Sequence, residues 1–235
     1  TTKAAKRAIQ KHKKFLSLPL STNDGRSLLE FDFLLMDTKK SRMMAKLFMK
    51  YLRSSGKVHV TTPAGTDMMF YKENRNPGFF NGVLRDGKGY SSSSIEVYVP
   101  IEETKTEGIM VLDGSLGYIG RAGEPTRIIF KGGRIVDIEE TPTGIRLKKY
   151  MEEYFDPRIY IAGELGIGLN SCSNCLGNCY IEDESAYGTF HVGLGRNIAL
   201  GGVQNAKGHF DLVCREPDIF TDNRQIMDRG KICLL

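Results

Sequence analysis

The sequence predicts an α+β protein of mixed, largely antiparallel sheets with flanking helices. Between residues 108 and 140, short apolar runs alternate with turn signals such as Lys131-Gly-Gly, the spacing of β-hairpins. Helical periodicity is confined to separate stretches, the strongest at 39–53 and 143–154.

Taken in order, residues 1–15 favour a helix, with Ala4, Ala5, Ala8 and Ile9 on one side and lysines elsewhere. Residues 16–25 read as extended chain and then turn, placing Asn23 or Asp24 to cap a helix expected at about 26–33. Met43, Met44, Leu47, Phe48, Tyr51 and Leu52 then recur at helical spacing, and Ser54-Ser55-Gly56 ends that helix. Residues 57–62 alternate as a half-buried strand that stops at Pro63, which makes His59 a strand residue rather than a ligand. A turn-rich passage from Asn74 to Gly89 leads to Ile95-Glu-Val-Tyr-Val-Pro100, where Glu96 shares a face with Tyr98 while Val97 and Val99 point the other way.

Strands are expected at 109–112, 116–119, 127–130 and 134–138, followed by a helix at 143–154 that Asp156-Pro157 breaks. Residues 159–162 read as a short strand ending at Gly163-Glu164-Leu-Gly-Ile-Gly168, a carboxylate among glycines that let backbone or ligand come close. The tail carries strand-like pieces at 210–214, 218–220 and 224–227. In outline, residues 1–55 form a helical amino-terminal segment and residues 56–235 the domain that carries the chemistry.

Composition narrows the function classes. A chain of 235 residues with 40% hydrophobic content builds an ordinary core. The net charge of +5 is concentrated in the lysine-rich first fourteen residues, a pattern of solvated helix faces, and the basic stretches lack the interleaved aromatics of a nucleic-acid platform. No run reaches a membrane span and no signal core follows the basic start, so the expected location is the cytoplasm. Five cysteines, three of them at Cys172, Cys175 and Cys179, do not form a secreted disulfide framework; they read as an incidental loop cluster or redox-sensitive thiols ahead of a zinc clamp. Phosphate-loop, dinucleotide and nucleophile-elbow patterns are absent.

The chemistry concentrates in Gly188-Thr-Phe-His191-Val-Gly-Leu-Gly-Arg-Asn197 and Gly208-His209-Phe-Asp211, which hold two of only four histidines. A His-x-Asp pair on a strand puts both side chains on one face, so His209 and Asp211 reach one cation. With His191 they supply two imidazoles and a carboxylate, the ligand set of non-haem iron; adding Glu164 and Glu96 gives a carboxylate-rich mixture suited to two zinc-like or cobalt-like ions.

These residues resemble a known family. Ala162-Gly-Glu164-Leu-Gly-Ile-Gly-Leu-Asn170, Glu182 to Gly195, His209-Phe-Asp211-Leu-Val213, Ser94-Ile-Glu96-Val-Tyr-Val-Pro100 and Thr61-Thr-Pro-Ala-Gly-Thr-Asp67 look like the carboxy-terminal part of the aminopeptidase T and aminopeptidase S metallopeptidases, from about residue 55 onward. The resemblance implies that Glu96, Glu164, His191, His209 and Asp211 ligate two divalent ions, zinc or cobalt, with Glu96 or Glu164 moving the proton in peptide hydrolysis. It also implies a cytosolic homodimer acting on a peptide or other small substrate, without nucleic acid or membrane. Two departures stand out: the family's transition-state tyrosine falls on Ile198, and the glycine before its first glutamate is Ile95. The resemblance covers the family's carboxy-terminal part, so its amino-terminal domain of about a hundred residues is expected to be missing. A related branch, resembling 2,5-dihydroxypyridine dioxygenase, would use His191, His209 and Asp211 for one ferrous ion, leaving Glu96 and Glu164 as supporting groups or acid and base. A third reading is a non-catalytic metal-binding remnant.

Overall fold

The computed structural model describes residues 3–18, 22–84, 89–222 and 224–233. Two antiparallel sheets share one apolar core. The larger has eight strands in the order β15-β14-β13-β2-β3-β7-β8-β9: β2 (Lys57–Thr61), β3 (Asp67–Tyr71), β7 (Glu107–Leu112), β8 (Thr126–Lys131), β9 (Arg134–Ile138), β13 (Asp218–Thr221), β14 (Arg224–Asp228) and β15 (Lys231–Ile232). The smaller has five, in the order β12-β11-β10-β6-β4: β4 (Gly78–Asn81), β6 (Ile95–Pro100), β10 (Ala162–Gly168), β11 (Thr189–Gly195) and β12 (His209–Arg215). A parallel pair of β1 (Lys14–Ser17) and β5 (Gly89–Ser92) stands beside them. The expected α+β class with antiparallel sheets is what the chain adopts.

Alternation explains why the five-stranded sheet forms. Val97 and Val99 of β6, Leu165 and Ile167 of β10, Phe190, Val192 and Leu194 of β11, and Phe210, Leu212 and Cys214 of β12 are each no more than 1% exposed and belong to one cluster. Each large apolar side chain removed from water contributes roughly 1.5–3 kcal/mol, so this face anchors the sheet and fixes its register. The core continues onto Val58, Val60, Met68, Phe70, Met110 and Phe130 of the larger sheet.

Helix α1 (Lys3–Gln10) is shorter than the helix expected over residues 1–15, because the chain turns at His12, whose φ is +54°, and enters β1. Helix α2 (Thr38–Arg53) matches the periodic stretch; Asp37 caps it by accepting from the Lys39 and Lys40 amides, and Ala45, Phe48, Met49 and Leu52 enter the core. Helix α3 (Pro142–Glu152) is capped by Thr141, with Pro142 at its first position. The helix expected at about 26–33 is two 3₁₀ turns, Leu28–Glu30 and Asp32–Leu35; the cap is Ser27, in a reciprocal box with Glu30. Residues 117–119 and 157–160, expected as strands, are also 3₁₀ turns, and the strand following the second begins at Ala162. A short helix not foreseen, α4 (Tyr180–Ser185), lies after the cysteine cluster.

Candidate metal centre

The second face of the five-stranded sheet carries the polar residues, and glycine stands beside each of them on a neighbouring strand. In register, Glu96 pairs with Gly168, Glu164 with Gly193, His191 with Gly166, Asp211 with Gly193, and His209 with Gly195. The glycines create the room. A Cβ on Gly166 would fall on the His191 ring, and one on Gly193 would sit 2.8 Å from both Glu164 Oε2 and His209 Cε1. The same alternation that buries valines and leucines on one side therefore opens a floor of functional groups on the other.

All five expected site residues are brought together on this floor. It spreads across four strands of the sheet face, β6, β10, β11 and β12. Glu96, Glu164 and His191 form one metal-capable cluster and Glu164, His209 and Asp211 another, each with ligand atoms within 4.8 Å of one another, so Glu164 joins the two. His191 Nε2 lies 2.9 Å from Glu96 Oε2, and His209 Nε2 lies 3.3 Å from both Glu164 Oε2 and Asp211 Oδ1. Ser94 Oγ orients Glu96 by donating to its Oε1 at 2.9 Å.

The electrostatics follow from crowding acids and imidazoles in a buried place. Burial opposes a charge on His191, but the facing Glu96 carboxylate outweighs it and raises the ring to about 9. His209 is raised well above its ordinary value against the same burial, by Asp211 and Glu164. Burial raises Glu164, against the His209 hydrogen bond that pulls it down. Asp211 is held below the usual carboxylate range despite burial, because His209 faces it. Among the described residues, Nδ1 of both histidines is buried without a hydrogen-bond partner, and Glu96 Oε2 and Asp211 Oδ1 have no well-aligned hydrogen bond beyond their close imidazole contacts. Unsatisfied buried donors and acceptors of this kind are costly. Grouped around shared points, they fit a divalent cation.

Glu184 belongs to the same site and was not singled out from the sequence. Of the acids at 182–184, Glu182 accepts from the Asn174 amide and Asp183 from Ser115 Oγ at 2.6 Å and the Gly177 amide, so both are structural. Glu184 instead faces the floor one helical turn beyond Tyr180. Burial, then the carboxylates of Glu96 and Asp211, raise its carboxyl well above the ordinary value, and it shares a hydrogen bond with Asp211. The available signal was the i, i+4 pairing of Tyr180 with Glu184 ahead of the histidine strand, which becomes informative only once the helix is recognised.

Above the floor is a cavity of about 350 Å³ lined by aromatic rings of Phe80, Tyr90, Tyr118 and Tyr180 together with Arg196 and Leu200. The loop after β11 that forms one wall is pinned by Asn197, whose side-chain amide donates to Glu103 and to the Gly163 carbonyl while its oxygen accepts from the Gln204 amide. Ile198 is 50% exposed and outside the cavity lining. His59 sits on β2 against Asp67 at 2.7 Å, a surface strand pair as expected. Among the described residues the cysteines join no metal-capable cluster, and all five are free thiols.

The sequence profile of the 2,5-dihydroxypyridine 5,6-dioxygenase family matches residues 32–234. A curated relative, 2,5-dihydroxypyridine 5,6-dioxygenase of Pseudomonas putida, is 24% identical over 212 residues, covering 83% of this chain and 59% of its own length. Among solved structures, 2,5-dihydroxypyridine dioxygenase from Pseudomonas putida KT2440 superposes with a TM-score of 0.82 at 18% identity, over 98% of this chain and 68% of that one. AmpT from Thermus thermophilus superposes at 0.61 and 15% identity, over 84% of this chain and 56% of that one. The expected aminopeptidase, a hydrolase, is therefore corrected. The scaffold is common to both branches, but the profile and the curated relative fall on the oxygenase side. The chain belongs to the 2,5-dihydroxypyridine 5,6-dioxygenase family.

Proposed function

We propose that this chain carries the site of a ring-opening dioxygenase, in which His191, His209 and Asp211 hold one ferrous ion and the substrate is a small hydroxylated aromatic or heteroaromatic ring. The observation that supports it most is that these three side chains stand on one glycine-cleared sheet face beneath an aromatic-lined cavity, with Glu164 between His191 and the His209–Asp211 pair. Two imidazoles and one carboxylate with open positions suit ferrous iron in oxygenases. When bound, the iron supplies the one-electron chemistry through which oxygen reacts with an electron-rich ring.

The remaining acids have separate tasks in this reading. Glu164, buried and raised, takes the proton of a ring hydroxyl at its Oε2, close to His209. Glu96, fixed by Ser94, orients His191. Glu184 steadies Asp211. The rings of Phe80, Tyr90, Tyr118 and Tyr180 exclude water and favour a flat apolar body. Free thiols support a reducing, cytoplasmic setting, and the homodimer expected from the resemblance is part of the same proposal, to be read by light scattering.

Anaerobic loading with ferrous ion, followed by an oxygen electrode and mass spectrometry with 2,5-dihydroxypyridine and related hydroxylated rings, with and without a ring carboxylate, tests the reaction. The reading expects one oxygen consumed per ring opened, with both atoms in the product. Iron-loaded protein that consumes no oxygen with any such ring would sink it.

A further inference from the structure

Arg196 is the feature of the cavity that the proposed chemistry leaves without a task. It lies directly after β11, and its backbone N–H donates to the Gly208 carbonyl at 2.7 Å while its Nε donates to the Ala206 carbonyl at 2.7 Å. Those two bonds hold the side chain against the wall beside His209. Its two terminal nitrogens make no hydrogen bond and no ion pair among the described residues, although the side chain lines the cavity. A guanidinium so placed is a planar fork with two donors uncommitted.

The charge around it sets what it can receive. The lining contains four acids, Glu96, Glu164, Glu184 and Asp211; apart from the two floor histidines, its other basic residue, Lys207, is exposed and donates from Nζ to the Phe155 carbonyl. Away from the floor histidines and the ion they would hold, an anionic group on a ligand meets carboxylates, and Arg196 is the place that favours it. A neutral ring filling the same space would cover the guanidinium and leave its donors unpaired, which opposes binding.

We propose that Arg196 determines specificity by receiving a carboxylate carried by the ring, so that the substrate of this chain is a hydroxylated aromatic or heteroaromatic acid with its hydroxyl edge turned toward His209 and Asp211. The proposal rests on the reading of the site as a ring-binding metal centre and names the class of ring. A single ring with one carboxylate matches a cavity of about 350 Å³. The planar fork and a carboxylate pair in two parallel bonds, which fixes the ring's rotation as well as its place.

The test is calorimetric binding to protein loaded with zinc, which supports no turnover, comparing 5-hydroxypyridine-3-carboxylate, whose carboxylate cannot chelate the ion together with the ring nitrogen, with 3-hydroxypyridine. Wild type should prefer the acid by about tenfold or more, the worth of a charge-assisted hydrogen bond. Arg196→Gln should lose that preference. Arg196→Lys, a point charge without the fork, should keep part of it and decides the matter should the glutamine variant fail to fold by circular dichroism. No preference in wild type, a preference undiminished in both variants, or binding of neither ring overturns the proposal. Failure to take up zinc would instead count against the metal centre, and the same comparison on metal-free protein would still judge Arg196.

Discussion

Replacing Gly193 by alanine inserts one methyl group between the proposed base Glu164 and the proposed ligand His209. Gly193 is not at positive φ, so its backbone accepts alanine and the effect is one of space alone. The new Cβ would lie 2.8 Å from Glu164 Cβ, Glu164 Oε2 and His209 Cε1. Ordinary carbon contacts are about 3.5–4.0 Å, so these groups must retreat by roughly 0.7–1.2 Å. That exceeds the tolerance of about 0.5 Å within which a site keeps its geometry. Gly193→Ala should therefore fold, at a cost of about 1–3 kcal/mol for overpacking, and bind metal about 10–100-fold more weakly. Chemical denaturation gives the first quantity and metal-titration calorimetry the second. Gly56→Ala is the control, since its Cβ meets Asp222 Oδ2 at an ordinary 3.8 Å and should change neither. Metal affinity in Gly193→Ala equal to wild type would refute the argument that glycines clear the floor for ligands.

Further outcomes follow from the same geometry. Glu184→Gln keeps a donor for Asp211 and should hold metal within a few-fold of wild type, whereas Glu184→Ala should lose about 10–100-fold; equal affinities in calorimetry would remove Glu184 from the site. Metal must displace protons from the raised histidines, His191 at about 9 among them, so affinity should climb as pH rises from 6 toward 9, and titrations in buffers of different ionisation enthalpy should show proton release at neutral pH. Flat affinity over that range would contradict the assigned imidazoles. Glu103 receives Arg75, Asn197 and the Val203 amide; despite burial these bonds hold it at about 2. A depressed carboxyl stabilises the fold above its unfolded value and loses that contribution as pH falls toward 2, and Glu103→Ala, which strands a largely buried Arg75, should cost about 3–5 kcal/mol by denaturation at pH 7.

Much of this architecture was legible where alternation or helical spacing is strong. Val97 and Val99 against Glu96 and Tyr98 gave the faces of β6, the spacing of Phe48 and Leu52 gave α2, and His209-x-Asp211 gave a shared face on β12. Local signals failed where a turn competes with an element: Ser27 and Glu30 cap a single 3₁₀ turn, and the apolar residues near 117–119 sit in a tight turn between Leu116 and Gly120. The site residues were visible as a set because glycine marks the strands beside them. Their pairing across β6, β10, β11 and β12 was not, since register depends on contacts between residues as far apart as Glu96 and Gly168. Glu184 escaped because nothing in a run of three consecutive acids separates the third from its neighbours, and only the placing of Asp183 on Ser115 and Gly177 turns the third one inward. The choice between hydrolase and oxygenase was hidden for another reason: the same donors serve two ions or one, and residue type alone does not count cations.

The most direct test is therefore the count. Anaerobic titration of the metal-free protein with ferrous ion, read by calorimetry and by metal analysis after desalting, should give one iron per chain, abolished in His191→Ala, His209→Ala and Asp211→Asn and retained in Glu96→Gln. Two ions per chain, or one whose binding survives loss of His209 and Asp211, would contradict a mononuclear centre built on these three residues.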